Sequence, residues 1–107
     1  MIHNVIISTE VDDKLRLTGT VSRFPYGSRQ VCLRFDYSKA VPGSEIRVLW
    51  FFGEKLVEAD TYALFEPAGS RIYCLVRENG QPLPKGPYSI TIVNGAEGLS
   101  DFGFEIY

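Results

Sequence analysis

Apolar and polar residues alternate with a period of two along most of the chain, the pattern of half-buried strands rather than helices. From Gln30 to Tyr37, Val31, Leu33, Phe35 and Tyr37 fall on one face, and Cys32, Arg34 and Asp36 on the other. Alternate side chains of a strand point to opposite faces, so the first set is expected in a core. Glu45 to Phe52 repeats the pattern, with Ile46, Val48 and Trp50 set against Arg47, Leu49 and Phe51. Ser38 to Ser44 reads as a loop that turns at Pro42-Gly43. Gly53-Glu54-Lys55 turns the chain into a short edge strand over Leu56 to Asp60, and Thr61 to Phe65 reads as a separate strand. Arg71 to Arg77 sets Ile72, Cys74 and Val76 against Tyr73 and Leu75. The last two strands place Tyr88, Ile90 and Ile92, then Phe102, Phe104 and Ile106, on single faces.

The start of the chain is less regular. Val5, Ile7 and Val11 suit one face of a first strand and Asp12-Asp13 a turn, while Leu15, Leu17 and Val21 fit either a short strand or an ordered loop. Glu78 to Pro87 holds three prolines and two glycines, which excludes helix and central strand there. No stretch combines a sustained 3.6-residue period with a helix cap, so essentially no helix is expected.

Length now fixes the architecture. A chain of 107 residues suits one domain, 1–107. Seven to eight short strands with turn signals about every 8 to 12 residues predict an all-β, immunoglobulin-like antiparallel sandwich, with a half-open barrel as competitor. Trp50 lies midway along a long strand, where such folds keep a central tryptophan, and Tyr88 stands where a "tyrosine corner" would tie the preceding loop. Phe35, Trp50 and Tyr88 are therefore the expected structural residues.

Strung together, the landmarks are Phe24-Pro25-Tyr26-Gly27, Val31 to Tyr37, Pro42-Gly43, Val48 to Val57 around Trp50 and Gly53, Gly80 to Ile90, and Phe104-Glu105-Ile106. Over about residues 24 to 106 this resembles a loosely defined group of bacterial immunoglobulin-like accessory domains. Their pattern is a Phe before the second strand, a Trp followed by a Gly-containing turn, a Leu-Pro-x-Gly-x-Tyr corner (here Leu83 to Tyr88) and a closing Phe-x-Val/Ile. The resemblance implies an appendage of a larger, often membrane-anchored or exported protein that acts as spacer or docking surface. It says nearly nothing of activity, because fold does not fix function.

Candidate chemistry is sparse. Eleven Lys+Arg against thirteen Asp+Glu give a net charge of −2, so a nucleic-acid partner has little electrostatic support. Apolar runs fall well short of the roughly 20 residues that span a bilayer, and Met1 to Ile7 lacks the basic start of a secretory signal. The one histidine, His3, reads as a surface residue; no HxxxH, CxxC or carboxylate–histidine cluster offers metal spacing, and Gly86, Gly95 and Gly98 precede no helix that could cradle a phosphate. The expectation is no enzyme, no cofactor, no metal and no membrane insertion by this chain.

By strand parity Cys32 shares a face with Arg34 and Asp36, and Cys74 with Ile72 and Val76. Taken as opposite faces, these make a disulfide hard to close, and an immunoglobulin disulfide would join the second strand to the one carrying Tyr88. Two free thiols are expected, as a reducing cytoplasm allows.

Aromatics are plentiful, with 7 Phe, 6 Tyr and 1 Trp. Parity sends Phe35, Tyr37, Trp50, Tyr88, Phe102 and Phe104 inward. It leaves Phe24, Tyr26, Phe51, Tyr62, Tyr73 and Tyr107 on outer faces or loops, several beside Arg23, Arg29, Arg47, Arg71 or Arg77. Such residues either cover sheet edges in cross-strand pairs or make a partner surface. Arg23 to Arg29 is the leading segment: Phe24 plugs the end of the core, and Arg23, Tyr26 and Arg29, with Tyr73, are the candidate binding residues. The proline-stiffened loop Asn79 to Pro87 is expected at the opposite end. The expected function is a non-enzymatic protein-binding or spacer module, an accessory domain of a larger bacterial protein, through a protein partner or self-association. The alternatives are a small protease inhibitor that uses the loop before Tyr88 as a wedge, and a carbohydrate-binding module with free tyrosines. Localisation is expected to be cytoplasmic if these residues are the whole protein and extracytoplasmic if they belong to a larger exported chain.

Overall fold

The structure, a computed structural model, describes residues 2–8, 23–77, 79–94 and 99–107. Among these residues it is all β, without helix, in eight strands: β1 (Ile2–Ser8), β2 (Arg23–Phe24), β3 (Gln30–Tyr37), β4 (Ser44–Phe52), β5 (Lys55–Leu64), β6 (Gly69–Val76), β7 (Gly86–Asn94) and β8 (Leu99–Ile106). They form a three-stranded sheet in the order β1-β3-β6 and a five-stranded sheet in the order β2-β8-β7-β4-β5. All neighbours are antiparallel except β2, which runs parallel to the end of β8. The expectations for Val11, Asp12-Asp13, Leu15, Leu17 and Val21 lie outside the described residues.

One core joins the inward faces of the two sheets in a sandwich-like arrangement. Val31, Leu33, Phe35 and Tyr37 of β3 and Leu75 of β6 are buried with Ile46, Val48 and Trp50 of β4, Ile90 and Ile92 of β7, and Phe104 and Ile106 of β8. These are the positions that the alternation sends inward on β3, β4, β7 and β8. Phe104 anchors the aromatic cluster at one end: Tyr88 stacks on it at 4.9 Å, and Phe24 and Trp50 meet it edge-on at 5.9 and 6.4 Å. The Tyr88 hydroxyl donates to the Pro84 carbonyl at 2.6 Å and so pins the preceding loop. Gly86 has φ +140, and a Cβ there would lie 2.7 Å from the Phe52 ring, so glycine alone fits between loop and strand.

Three expectations are corrected. Leu56 to Asp60 and Thr61 to Phe65 are not two strands but one, β5, interrupted only by a register shift opposite Trp50/Phe51. On β6 the inward residues are Tyr73 and Leu75, while Cys74 and Val76 are exposed. Cys32 and Cys74 are not free thiols. β3 and β6 are neighbours in one sheet, the two cysteines face each other in register, and they form a disulfide. The face of Ile72, Cys74 and Val76, although apolar, is the outer face of β6, and residues directly opposite on adjacent strands share a face.

The outer face of the small sheet carries a polar knot. Asp36 accepts from the Ser70 hydroxyl at 2.5 Å and from Asn4 Nδ2 at 3.0 Å. These two hydrogen bonds, Ser70 first, hold its carboxyl below the usual range, with the nearby Arg34 guanidinium a smaller aid.

Candidate functional site

The two loops expected at opposite ends of the molecule lie side by side at one end. The Leu83 N–H donates to the Ser28 carbonyl at 3.0 Å, and Leu83 itself is buried. With the Tyr88–Pro84 bond, this ties the Asn79–Pro87 loop to the body. Beside it, the residue that follows β8 is laced to the segment after β2: the Tyr107 N–H donates to the Phe24 carbonyl at 3.0 Å, and the Tyr26 N–H to the Tyr107 carbonyl at 3.2 Å.

This lacing presents two tyrosines together. Tyr26 is 51% and Tyr107 54% exposed, and each ring carries a cation over its face. The Arg23 guanidinium lies 4.6 Å from the Tyr107 centroid, and Lys85 Nζ lies 5.4 Å from that of Tyr26. Arg23 also pairs with Glu105 at 3.2 Å, which fixes its fork across the ring. Arg29 is exposed on the same loop. Of the candidate binding residues, Arg23, Tyr26 and Arg29 thus belong to one end. Lys85 is the member that sequence reading missed; only the Leu83–Ser28 tie between the loops brings it there. Phe24 is buried, as its role of plug requires.

Tyr73, the fourth candidate, is elsewhere and points inward. It stacks on Tyr62 of β5 at 4.2 Å, bridging the edges of the two sheets, and meets Phe35 at 5.9 Å. Its hydroxyl is buried with no hydrogen-bond partner among the described residues. Burial, the largest cause, pushes its phenol up to about 12. Tyr73 and Tyr62 thus clasp the edges of the two sheets together. Tyr73→Phe should raise stability by about 1 kcal/mol, because it removes an unsatisfied buried group and keeps the ring. The sign of the pH effect follows. A tyrosine whose folded pKa is raised stabilises below its unfolded value near 10, and that stability drains away as pH climbs from 10 towards 12. Urea titrations at pH 8 and 11 should show a smaller alkaline loss in the variant, with a remainder from Tyr62 and Tyr88, whose phenols burial also raises. A variant less stable than wild type at pH 8 would mean that the hydroxyl has a partner.

His3 is exposed on β1, opposite Asp36. Among the described residues no group of three His, Cys, Asp or Glu side chains could hold a metal ion, and no helix is long and apolar enough to cross a membrane. No family model matches the chain, and neither does any curated protein or solved structure.

Proposed function

We propose that this chain is a non-catalytic, immunoglobulin-like module that binds a protein partner through the end formed by Arg23, Tyr26, Arg29, Lys85 and Tyr107. The observation that carries the reading is the pair of half-exposed tyrosines, each under a cation, on loops fixed by backbone hydrogen bonds. Tyrosine and arginine are the residues that dominate protein–protein hot spots, and a surface held in place before binding loses little entropy on docking. Three cations stand there against Glu105, so the surface fits an acidic patch on the partner.

The strand order supports the immunoglobulin-like reading. The orders β1-β3-β6 and β8-β7-β4-β5 are those that strands A-B-E and G-F-C-C′ would have in such a fold. The hydrogen bond from Tyr88 to Pro84 is the tie that a tyrosine corner makes. The disulfide favours an oxidising compartment, and with it the extracytoplasmic placement of an accessory domain in a larger bacterial protein.

The test combines Arg23→Glu, Tyr26→Ala and Lys85→Glu. Recovery of cross-linked partner from the source cells should fall at least tenfold, while unfolding free energy moves by no more than ~1 kcal/mol, as exposed positions allow. Full recovery with a stable triple variant would place the docking surface elsewhere.

A further inference from the structure

Among the described residues the two sheets are unequal, three strands against five, and one flank of the sandwich lies open between the edge strands β5 and β6. At the upper part of this flank the Tyr62–Tyr73 stack closes the gap. Beyond the stack lies a cleft of about 530 Å³ with Phe52, Leu83 and Tyr88 on its floor. Val57 and Glu58 of β5 form one wall and Leu75 and Val76 of β6 the other, with Lys55 and Arg77 at the outer end. Val57 and Val76 are 40% and 55% exposed, so apolar surface stands open on both sides.

The backbone of β6 is directed towards this opening. Cys32 and Cys74 sit opposite each other with Cα atoms 4.0 Å apart, the close spacing of a non-hydrogen-bonded antiparallel pair. In such a pair the N–H and C=O groups of each residue turn away from the other strand. Alternation turns the N–H and C=O of Ile72 and Cys74 to the side of β6 away from β3, where no strand lies among the described residues. No backbone hydrogen bond reaches their amides from that side among the described residues. An eight-residue edge without proline thus offers unpaired donors and acceptors beside an apolar cleft, the arrangement that accepts an added strand.

We propose that the β6 edge takes up an extended segment of a partner protein, paired through Ile72 and Cys74. Its alternate side chains are apolar and enter the cleft, and an acidic group lies beside Lys55 and Arg77. Charge selects this occupant: the cleft holds two cations against the Glu58 carboxylate, although the chain as a whole is acidic at −2. A second copy fits poorly, because antiparallel pairing of β6 with its twin about Cys74 brings Arg71 of each chain onto Arg77 of the other. The Asn79–Pro87 loop gives Leu83 and Pro84 to the cleft and Lys85 to the Tyr26–Tyr107 end, but Ile72, Cys74 and Lys55 belong to this edge alone, so either reading can fail without the other.

A phage-displayed library of random dodecapeptides, selected on the oxidised protein, provides the probe. Enriched peptides should alternate apolar residues and carry an Asp or Glu. Adding one should slow amide hydrogen exchange at Ile72 and Cys74 at least tenfold. Lys55→Glu, an exposed change, should weaken that peptide at least tenfold and shift a fresh selection towards basic sequences. The proposal is overturned if nothing is enriched, or if bound peptides leave exchange at Ile72 and Cys74 unchanged. It is equally overturned if those two amides are protected by a concentration-dependent dimer of the chain itself.

Discussion

Trp50→Ala should lower the unfolding free energy by about 3–5 kcal/mol, the range for deleting a large buried aromatic. Trp50 is 1% exposed in the middle of β4, paired with Glu58 on one side and Ile90 on the other, in the five-stranded sheet. Its loss removes the edge-on contact to Phe104, the ring on which Tyr88 and Phe24 also pack. The cavity would therefore open beside the cluster that holds the end of the sandwich with the Tyr26 and Tyr107 loops. Against a total of about 5–15 kcal/mol for a domain of this size, the loss is about a fifth of the whole at the least. Tm should fall on the order of 15–25 °C. Trp50→Phe retains a ring against Phe104 and should lose less than half as much. Urea denaturation followed by far-UV circular dichroism measures both, since the variants lack the only tryptophan. A cost below about 1 kcal/mol for Trp50→Ala would mean that the ring is not a core residue at all.

What the sequence made legible follows from where polar residues fall. β3, β4, β7 and β8 each set one apolar face against a more polar one or a run of small residues, so their inward residues could be read, although β7 and β8 begin earlier than their turn residues suggest, at Gly86 and Leu99. β6 could not be oriented this way, because Ile72, Tyr73, Cys74, Leu75 and Val76 are apolar on both faces and period two has no phase to report. The continuity of β5 was hidden for a different reason. Glu58 and Asp60 stand opposite Trp50 and Val48, and so on the inward side, but near an open flank where a carboxylate still meets water. Inward charges on an edge strand also discourage uncontrolled pairing of edges, and they read in the sequence as a break. The candidate site was half legible. Arg23, Tyr26 and Arg29 are close in sequence, whereas Lys85 and Tyr107 join them only through the Leu83–Ser28 and Tyr107–Phe24 hydrogen bonds. Neither pairing has a signature in a single sequence.

Removing the Cys32–Cys74 disulfide should cost about 4 kcal/mol, because a cross-link closing a loop of 42 residues takes that much chain entropy out of the unfolded state. Cys32→Ala with Cys74→Ala is the clean comparison, since it leaves no thiol to reoxidise. The single change Cys32→Ser should be worse than Cys74→Ser. Both break the bond, but Cys32 is completely buried and would leave a hydroxyl in its place, whereas Cys74 is exposed. Each single variant also has a free thiol, so both belong in reductant during the measurement. The bond ties β3, which supplies four inward core residues, to β6, whose other edge is unpaired among the described residues and whose Tyr73 reaches across to Tyr62. Loss of the cross-link should accordingly loosen β6 before the rest. Hydrogen exchange in the double variant should quicken more in β6 than in β4 or β7, and peptides selected on the β6 edge should bind less tightly. Uniform quickening across both sheets would instead show that the bond acts only through the unfolded chain. The chemistry has its own check: denatured without reductant, the oxidised protein should show no reactive thiol, and two after reduction. Two thiols before reduction would restore the free pair that strand parity alone suggests.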